Sequence, residues 1–215
     1  DGFYEIEGIA ISNALRKNSI QIISAEHGLT AGISKWRRST INYSEPNTSD
    51  VIMTYNKMSA ATFLSSSNKN LKCVECGAPQ ETKRLRNYRL QRIFSRKRLK
   101  VQSVTVFYVS TSLLTNNNCF FPHYSPDHIR DRVESSLLNN VLSNVNKKVI
   151  YKYYPSQNYL YDDNPYAKRA KEIPNIVVSE EEDFRYIRTA ADVIVTSAPF
   201  STLGWCVGLD KPMVY

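Results

Sequence analysis

The sequence predicts an α/β protein with parallel sheet, on three observations. Short apolar runs rich in Val and Ile alternate with stretches of helical periodicity through most of the 215 residues, the pattern of strands joined by crossover helices. Ala191 to Tyr215, ADVIVTSAPFSTLGWCVGLDKPMVY, scans as strand, hydroxyl-rich turn, short helix, tight turn and second strand. Its two apolar runs, at Val193–Val195 and Pro212–Tyr215, are expected to be parallel strands buried on both faces. The composition is 42% hydrophobic, enough for a real core, and no run approaches the ~18 apolar residues of a membrane span.

From Phe3 to Lys17 the residues Phe3, Ile6, Ile9, Ala10, Ala14 and Leu15 recur at helical spacing, and Arg16, Lys17 and Asn18 close the helix. A strand over 19–24 runs into Ala25-Glu26-His27-Gly28, which places a carboxylate, an imidazole and a permissive glycine past a strand's carboxyl end. Residues 28–46 lack clean periodicity and carry Lys35, Trp36, Arg37 and Arg38, as a loop would. Asp50–Thr54 reads as a strand, Met58–Leu64 as a helix, and Leu71–Cys76 as a strand ending in Gly77-Ala78-Pro79. Cys73 and Cys76 form a C-x-x-C, but a structural zinc site needs two further ligands and nothing nearby supplies them. With Cys119 and Cys206 they are expected as buried core thiols in a reducing compartment.

Lys83 to Lys100 is the charge anomaly. Nine cations (Lys83, Arg84, Arg86, Arg89, Arg92, Arg96, Lys97, Arg98 and Lys100) stand there with no acid among them, against a net charge of +8 for the whole chain. Leu85, Tyr88, Leu90, Ile93 and Phe94 interleave with them. The segment reads as a solvated basic face or as a basic amphipathic helix on an anionic membrane, with Arg89, Arg92 and Arg96 as the contacts. Nucleic acid is the competing anion, and the lack of any recognisable nucleic-acid motif argues against it.

Val104–Val109 opens a second α/β series, so a domain boundary falls near residue 100. A helix is predicted from Pro126 to about Asn144 with Ile129, Val133, Leu137, Leu138, Val141 and Leu142 inward. Lys148–Lys152 is the next strand and leads into Tyr153-Tyr154-Pro155. Ile176–Val178 is a short strand, and Glu180–Ala190 a helix with Phe184, Ile187 and Ala191 inward. In the final unit Thr196, Ser197, Ser201 and Thr202 gather where strand gives way to helix. Carboxyl ends of strands are where ligands sit in open α/β sheets, and a helix start offers unpaired N–H groups to an anion. The cluster therefore reads as a phosphate or nucleotide cradle, or equally as a plain helix cap.

These residues carry a resemblance. The order Ala-Asp, apolar strand, Thr-Ser, Ser-Thr, short helix, Lys-Pro and final strand resembles the nucleotide-binding half of GT-B glycosyltransferases. Bacterial surface-polysaccharide transferases and the CDP-glycerol glycerophosphotransferases of teichoic acid assembly are the nearest in pattern. The His27-Gly28 pair and the Gly77-Ala78-Pro79 turn are similar to motifs of the same families, and Lys152-Tyr153-Tyr154-Pro155 resembles their Lys-x-His-Pro with Tyr154 in place of the histidine.

The resemblance implies two Rossmann-like domains of GT-B type. Residues 1–95 would form the later part of an incomplete N-terminal, acceptor-side domain with a basic linker from about 83, and 101–215 the C-terminal, donor-binding domain. It implies a glycosyltransferase building a cell-surface polysaccharide such as a capsule from a nucleotide-activated sugar. Ser197, Ser201, Thr202, Lys152 and Tyr154 would hold the donor, and His27, with Glu26 beside it, would serve a lipid-linked or glycan acceptor as general base. No Asp-x-Asp occurs, so no metal or other cofactor is expected, and helix-start amides and cations would stabilise the leaving group. The expected location is cytoplasmic, with peripheral contact on the inner face of the cell membrane. A chain beginning with Asp1 and ending in a strand reads as part of a longer polypeptide. The alternatives are a glycerophosphotransferase-like polymer synthase and a noncatalytic anion- or partner-binding module of the same fold.

Overall fold

The computed structural model describes residues 6–26, 45–67, 70–77, 87–110, 127–153, 165–180, 182–196 and 201–214. Its chain divides into two compact units, residues 1–81 with 199–204, and 82–198 with 205–215. Both are mixed α/β with wholly parallel sheets.

In the first unit α1 (Ile6–Lys17) leads to β1 (Ile23–Ala25), and α2 (Glu45–Thr48) to β2 (Val51–Thr54), α3 (Lys57–Ser66) and β3 (Lys72–Glu75). The sheet order is β1-β2-β3, with Ser24, Ile52 and Cys73 in register. Ile52, Phe63 and Leu71 form its small core. Asn56 starts α3 as a side-chain cap, accepting the Ser59 N–H at 2.9 Å. Two expectations are corrected here. Ile9, Ala10 and Ala14 are exposed, and α1 instead turns Ser12 and Arg16 inward, because Arg16 Nε reaches Asp50 at 3.1 Å and its Nη1 reaches the Asn47 carbonyl. The first strand begins at Ile23 rather than residue 19, because Ser19 takes a left-handed φ of 57° that closes α1, with Ile20 N–H bonded back to Leu15 O.

The second unit contains α4 (Tyr88–Arg98), β4 (Thr105–Val109), α5 (Asp127–Ser136), β5 (Lys148–Lys152), α6 (Pro165–Lys171), β6 (Ile176–Ser179), α7 (Phe184–Ile187) and β7 (Val193–Thr196); α8 (Ser201–Val207) and β8 (Met213–Val214) end the described chain. The strand order is β6-β5-β4-β7-β8. Successive strands run outward from β4 to one side, and the chain then returns to the other side of β4, the doubly wound arrangement of open α/β sheets.

Alternation along these strands gives the sheet two apolar faces. Phe107, Val109, Ile150 and Ile194 pack with Ile187, Ala190, Ala191, Cys206 and Leu209 on one side, where Phe184 meets Phe107 edge-on at 5.5 Å. Tyr108, Val149 and Tyr151 pack with Leu138, Leu142, Tyr166 and Ala170 on the other. The final strand departs from expectation, since Met213 and Val214 are exposed on an edge rather than buried on both faces.

The long helix after β4 also departs. Past Ser136 it loosens into a π-turn at Leu137–Val141 and a 3₁₀ turn at Leu142–Asn144. The buried line is Glu134, Leu138 and Leu142 at four-residue steps, while Ile129, Val133 and Val141 are left exposed. A carboxylate occupies the position that apolar periodicity would assign to a hydrophobe.

The amino edge of this sheet is fastened by charge. Arg92 and Arg96 of α4 both pair with Asp192, just before β7, and Asp192 also accepts the Thr105 N–H at 2.9 Å. Arg92 donates further to Ala191 O at 2.7 Å. Burial alone would raise the Asp192 pKa, but the Thr105 N–H and the two guanidinium groups outweigh it and hold the carboxyl below its ordinary 3.8. A carboxylate depressed in the folded state contributes stability above its unfolded pKa and loses it as the pH falls through the folded value. Asp192→Asn should therefore cost about 2 kcal/mol near neutrality, less than a fully buried pair because the side chains keep some solvent. The gap from wild type should close below about pH 4, as read by urea unfolding across an acid pH series; a gap that does not change with pH would contradict the clamp.

Candidate functional site

In doubly wound sheets ligands bind outside the carboxyl ends of the strands, which makes that edge of the second sheet the candidate site. Ser179, Lys152, Val109 and Thr196 lie in one register row across β6, β5, β4 and β7. The chain reverses its direction of winding between β4 and β7, so the crevice falls at Val109–Ser110 and Thr196.

Ser110 is set by a buried carboxylate. Glu134, 1% exposed, accepts the Ser110 hydroxyl at 2.6 Å and the Tyr151 hydroxyl at 2.5 Å on one oxygen, and the Tyr108 hydroxyl at 2.5 Å on the other. Burial first, and then the Glu134 charge, push the Tyr151 pKa far up, so this phenol remains a neutral donor. Asp131, one turn earlier on α5, accepts the Tyr166 hydroxyl. Hydroxyl-to-carboxylate bonds thereby tie the sheet to α5, and α5 to α6. Glu134 went unmarked in the sequence, and its only signal there is an acid at helical spacing from Leu138 and Leu142.

Lys152 ends β5 with 5% exposure, and its ammonium donates to Glu180 O at 2.9 Å and Ser179 O at 3.4 Å. Burial lowers its pKa, and Glu182, Asp183 and Glu180 only partly offset this. Ser179 Oγ donates to Glu182 at 2.7 Å, so Lys152 faces a turn already rich in acceptors. As found, its charge serves the turn after β6.

Ser201 and Thr202 are the first two residues of α8. The other end of α8 is held by Arg188, 5% exposed, whose Nη1 donates to Trp205 O at 2.9 Å while the guanidinium lies 5.0 Å from the Trp205 ring. A cation on the last carbonyls favours the helix dipole and fixes the helix end. Arg188 is a second positioning residue that the sequence left unmarked. Beside it, burial pushes the Cys206 thiol up to about 12 despite Arg188, which makes it an inert core thiol.

In the first unit Glu26 is 3% exposed, and both carboxylate oxygens are engaged, by Tyr55 N–H at 2.9 Å and by Ser59 Oγ at 2.9 Å. It joins the end of β1 to the start of α3. Gly77, with φ of 76°, supplies the left-handed turn after β3 that a side chain would strain. Cys73 is half-buried with its pKa raised by burial and then by Glu26, whereas Cys76 is exposed, a departure from its expected place in the core.

The predicted residues thus fall into three groups. Lys152 ends a strand of the second sheet, the backbone of Ser201 and Thr202 starts α8 in the part of the chain that groups with the first unit, and Glu26 follows the first strand of the first sheet. Arg92 and Arg96 sit at the opposite, amino edge on Asp192, while Arg89 is exposed on α4. His27, Tyr154, Ser197 and Cys119 lie outside the described residues. Among the described residues no group of three or more His, Cys, Asp and Glu is placed to hold a metal, and no helix is long and apolar enough to cross a membrane.

No family model matches the chain, and no curated protein matches it. Among solved structures it is similar to a UDP-N-acetylglucosamine 2-epimerase from Rickettsia bellii, with a TM-score of 0.58 at 15% identity. The match covers 95% of this chain and 52% of that one, so the chain spans about half the length of its structural neighbour. At this identity the likeness is one of fold, and it supports a fold of the GT-B kind.

Proposed function

We propose that the chain binds a nucleotide-activated sugar at the carboxyl edge of its second sheet and belongs to a glycosyltransferase of surface-polysaccharide assembly. The observation that carries the reading is the strand order β6-β5-β4-β7-β8, whose winding reverses between β4 and β7, the point at which open α/β sheets bind ligands at the carboxyl ends of their strands. The fold likeness to an enzyme named for a UDP-sugar supports the same ligand class. In this reading Ser197, Ser201 and Thr202, following β7, receive the donor's phosphates. Glu134 keeps Ser110 in place just past β4, and Arg188 fixes α8. Lys152 would join the phosphates only by leaving the Glu180 carbonyl. Amides and hydroxyls take the leaving group's charge, with no metal required. His27 serves as general base for an acceptor hydroxyl and Glu26 positions it.

The name of the structural neighbour, an epimerase, favours a second reading, in which the same edge of the sheet isomerises the sugar of its bound nucleotide. Incubating the full-length protein with UDP-, CDP- and GDP-activated sugars, with and without glycan acceptors, separates the two. Transfer predicts free nucleoside diphosphate together with an extended acceptor. Isomerisation predicts an altered sugar without any acceptor. Binding without either product would leave an anion-binding module, and failure to bind any nucleotide would overturn both readings.

A further inference from the structure

The basic helix α4 has two faces of different character. Its inward face is committed to the second unit: Arg92 and Arg96 to Asp192, and Ser95 Oγ to Tyr186 O at 2.8 Å and Thr189 Oγ1 at 2.8 Å. Its outward face carries Leu90, Ile93 and Phe94 at 55%, 61% and 68% exposure. Their i, i+3, i+4 spacing makes one contiguous apolar ridge. Arg89 flanks the ridge on one side and Arg98 on the other, and Lys97 lies one turn beyond Ile93, all exposed. Tyr88–Arg98 contains no acid, and Arg98 stays 62% exposed although Glu182 approaches it to 3.6 Å.

From this arrangement we infer that the outward face of α4 docks the protein on an anionic lipid surface. The apolar ridge enters the headgroup–acyl boundary while the flanking cations extend to the lipid phosphates. Charge complementarity decides the occupant, since an uncharged apolar partner would bring the exposed charges of Arg89 and Lys97, and of Arg98 beside its looser partner Glu182, to the rim of the contact with nothing on the partner to match them. The contact residues are thus Leu90, Ile93, Phe94, Arg89, Lys97 and Arg98, and not Arg92 or Arg96, whose charge is used within the fold. The inference does not rest on the nucleotide-sugar reading.

The test is co-sedimentation of the full chain with vesicles of equal parts phosphatidylglycerol and phosphatidylcholine, and with pure phosphatidylcholine. Wild type should partition onto the anionic vesicles and be released by salt. Each cation near the surface is worth about fivefold in partition, so Arg89→Gln with Lys97→Gln and Arg98→Gln should lower it about a hundredfold. Ile93→Ser with Phe94→Ser should lower it at least tenfold even at low salt, and all these variants should keep the wild-type melting temperature because the substituted groups face solvent. Partition that ignores anionic lipid, or that survives both sets of substitutions, would overturn the assignment. So would substitutions that dissolve a dimer of the free protein and leave vesicle partition unchanged, which would give the face to a second copy.

Discussion

Replacing Glu134 with alanine should destabilise the second unit by about 3–5 kcal/mol, the largest single loss expected in the chain. Three hydroxyls converge on this carboxylate, and Tyr108 and Tyr151 are fully buried. Removing the acceptor leaves two phenols with no replacement for its charge, and an uncompensated buried donor costs about 1–3 kcal/mol. Glu134→Gln keeps the volume and one acceptor oxygen and should cost about half as much, while Tyr108→Phe with Tyr151→Phe in the Glu134→Leu background should recover part of the loss. Urea unfolding of the four proteins reads this directly. A Glu134→Ala midpoint equal to wild type would show that the cluster holds nothing together.

How much of this was legible in the sequence follows from the range of the interactions. Each of the eight described strands overlaps a run that apolar composition marks, with β1, β6 and β7 reaching one residue past it, because parallel strands joined by crossover helices need little beyond apolar side chains. Helix faces were harder. The helix after β4 looks amphipathic about Ile129 and Val133, yet its buried line runs through Glu134, because the partners that justify a buried acid arrive from strands 17 and 26 residues away. No local period records such a pairing.

The charges of Lys83–Lys100 were plain, but their use was not. Asp192, which takes Arg92 and Arg96, is 100 and 96 residues distant, and a helix wheel alone cannot tell a clamped arginine from a free one. At the candidate site, sequence indicated the strand ends and hydroxyls, since turn chemistry is local. The residues that hold those ends in place, Glu134, Arg188 and Glu26's partners Tyr55 and Ser59, depend on tertiary contacts.

The second large effect concerns nucleotide affinity. If the donor's phosphates rest where β7 gives way to α8, the Ser201 and Thr202 hydroxyls make charge-assisted hydrogen bonds worth about 1.5–3 kcal/mol each. Ser201→Ala with Thr202→Val should then weaken binding by about 2–5 kcal/mol, one to a few powers of ten. Loss of a helix cap costs only about 1 kcal/mol, so the fold should suffer far less. The measurement is calorimetric titration of UDP, CDP and GDP into wild type and the double variant, with a melting curve on each. A nucleotide bound by wild type and lost at least tenfold by the variant, at nearly unchanged melting temperature, is the predicted result. Equal affinity in the two proteins with a sharply lowered melting temperature would make Ser201 and Thr202 a helix cap alone and remove the donor from this edge of the sheet.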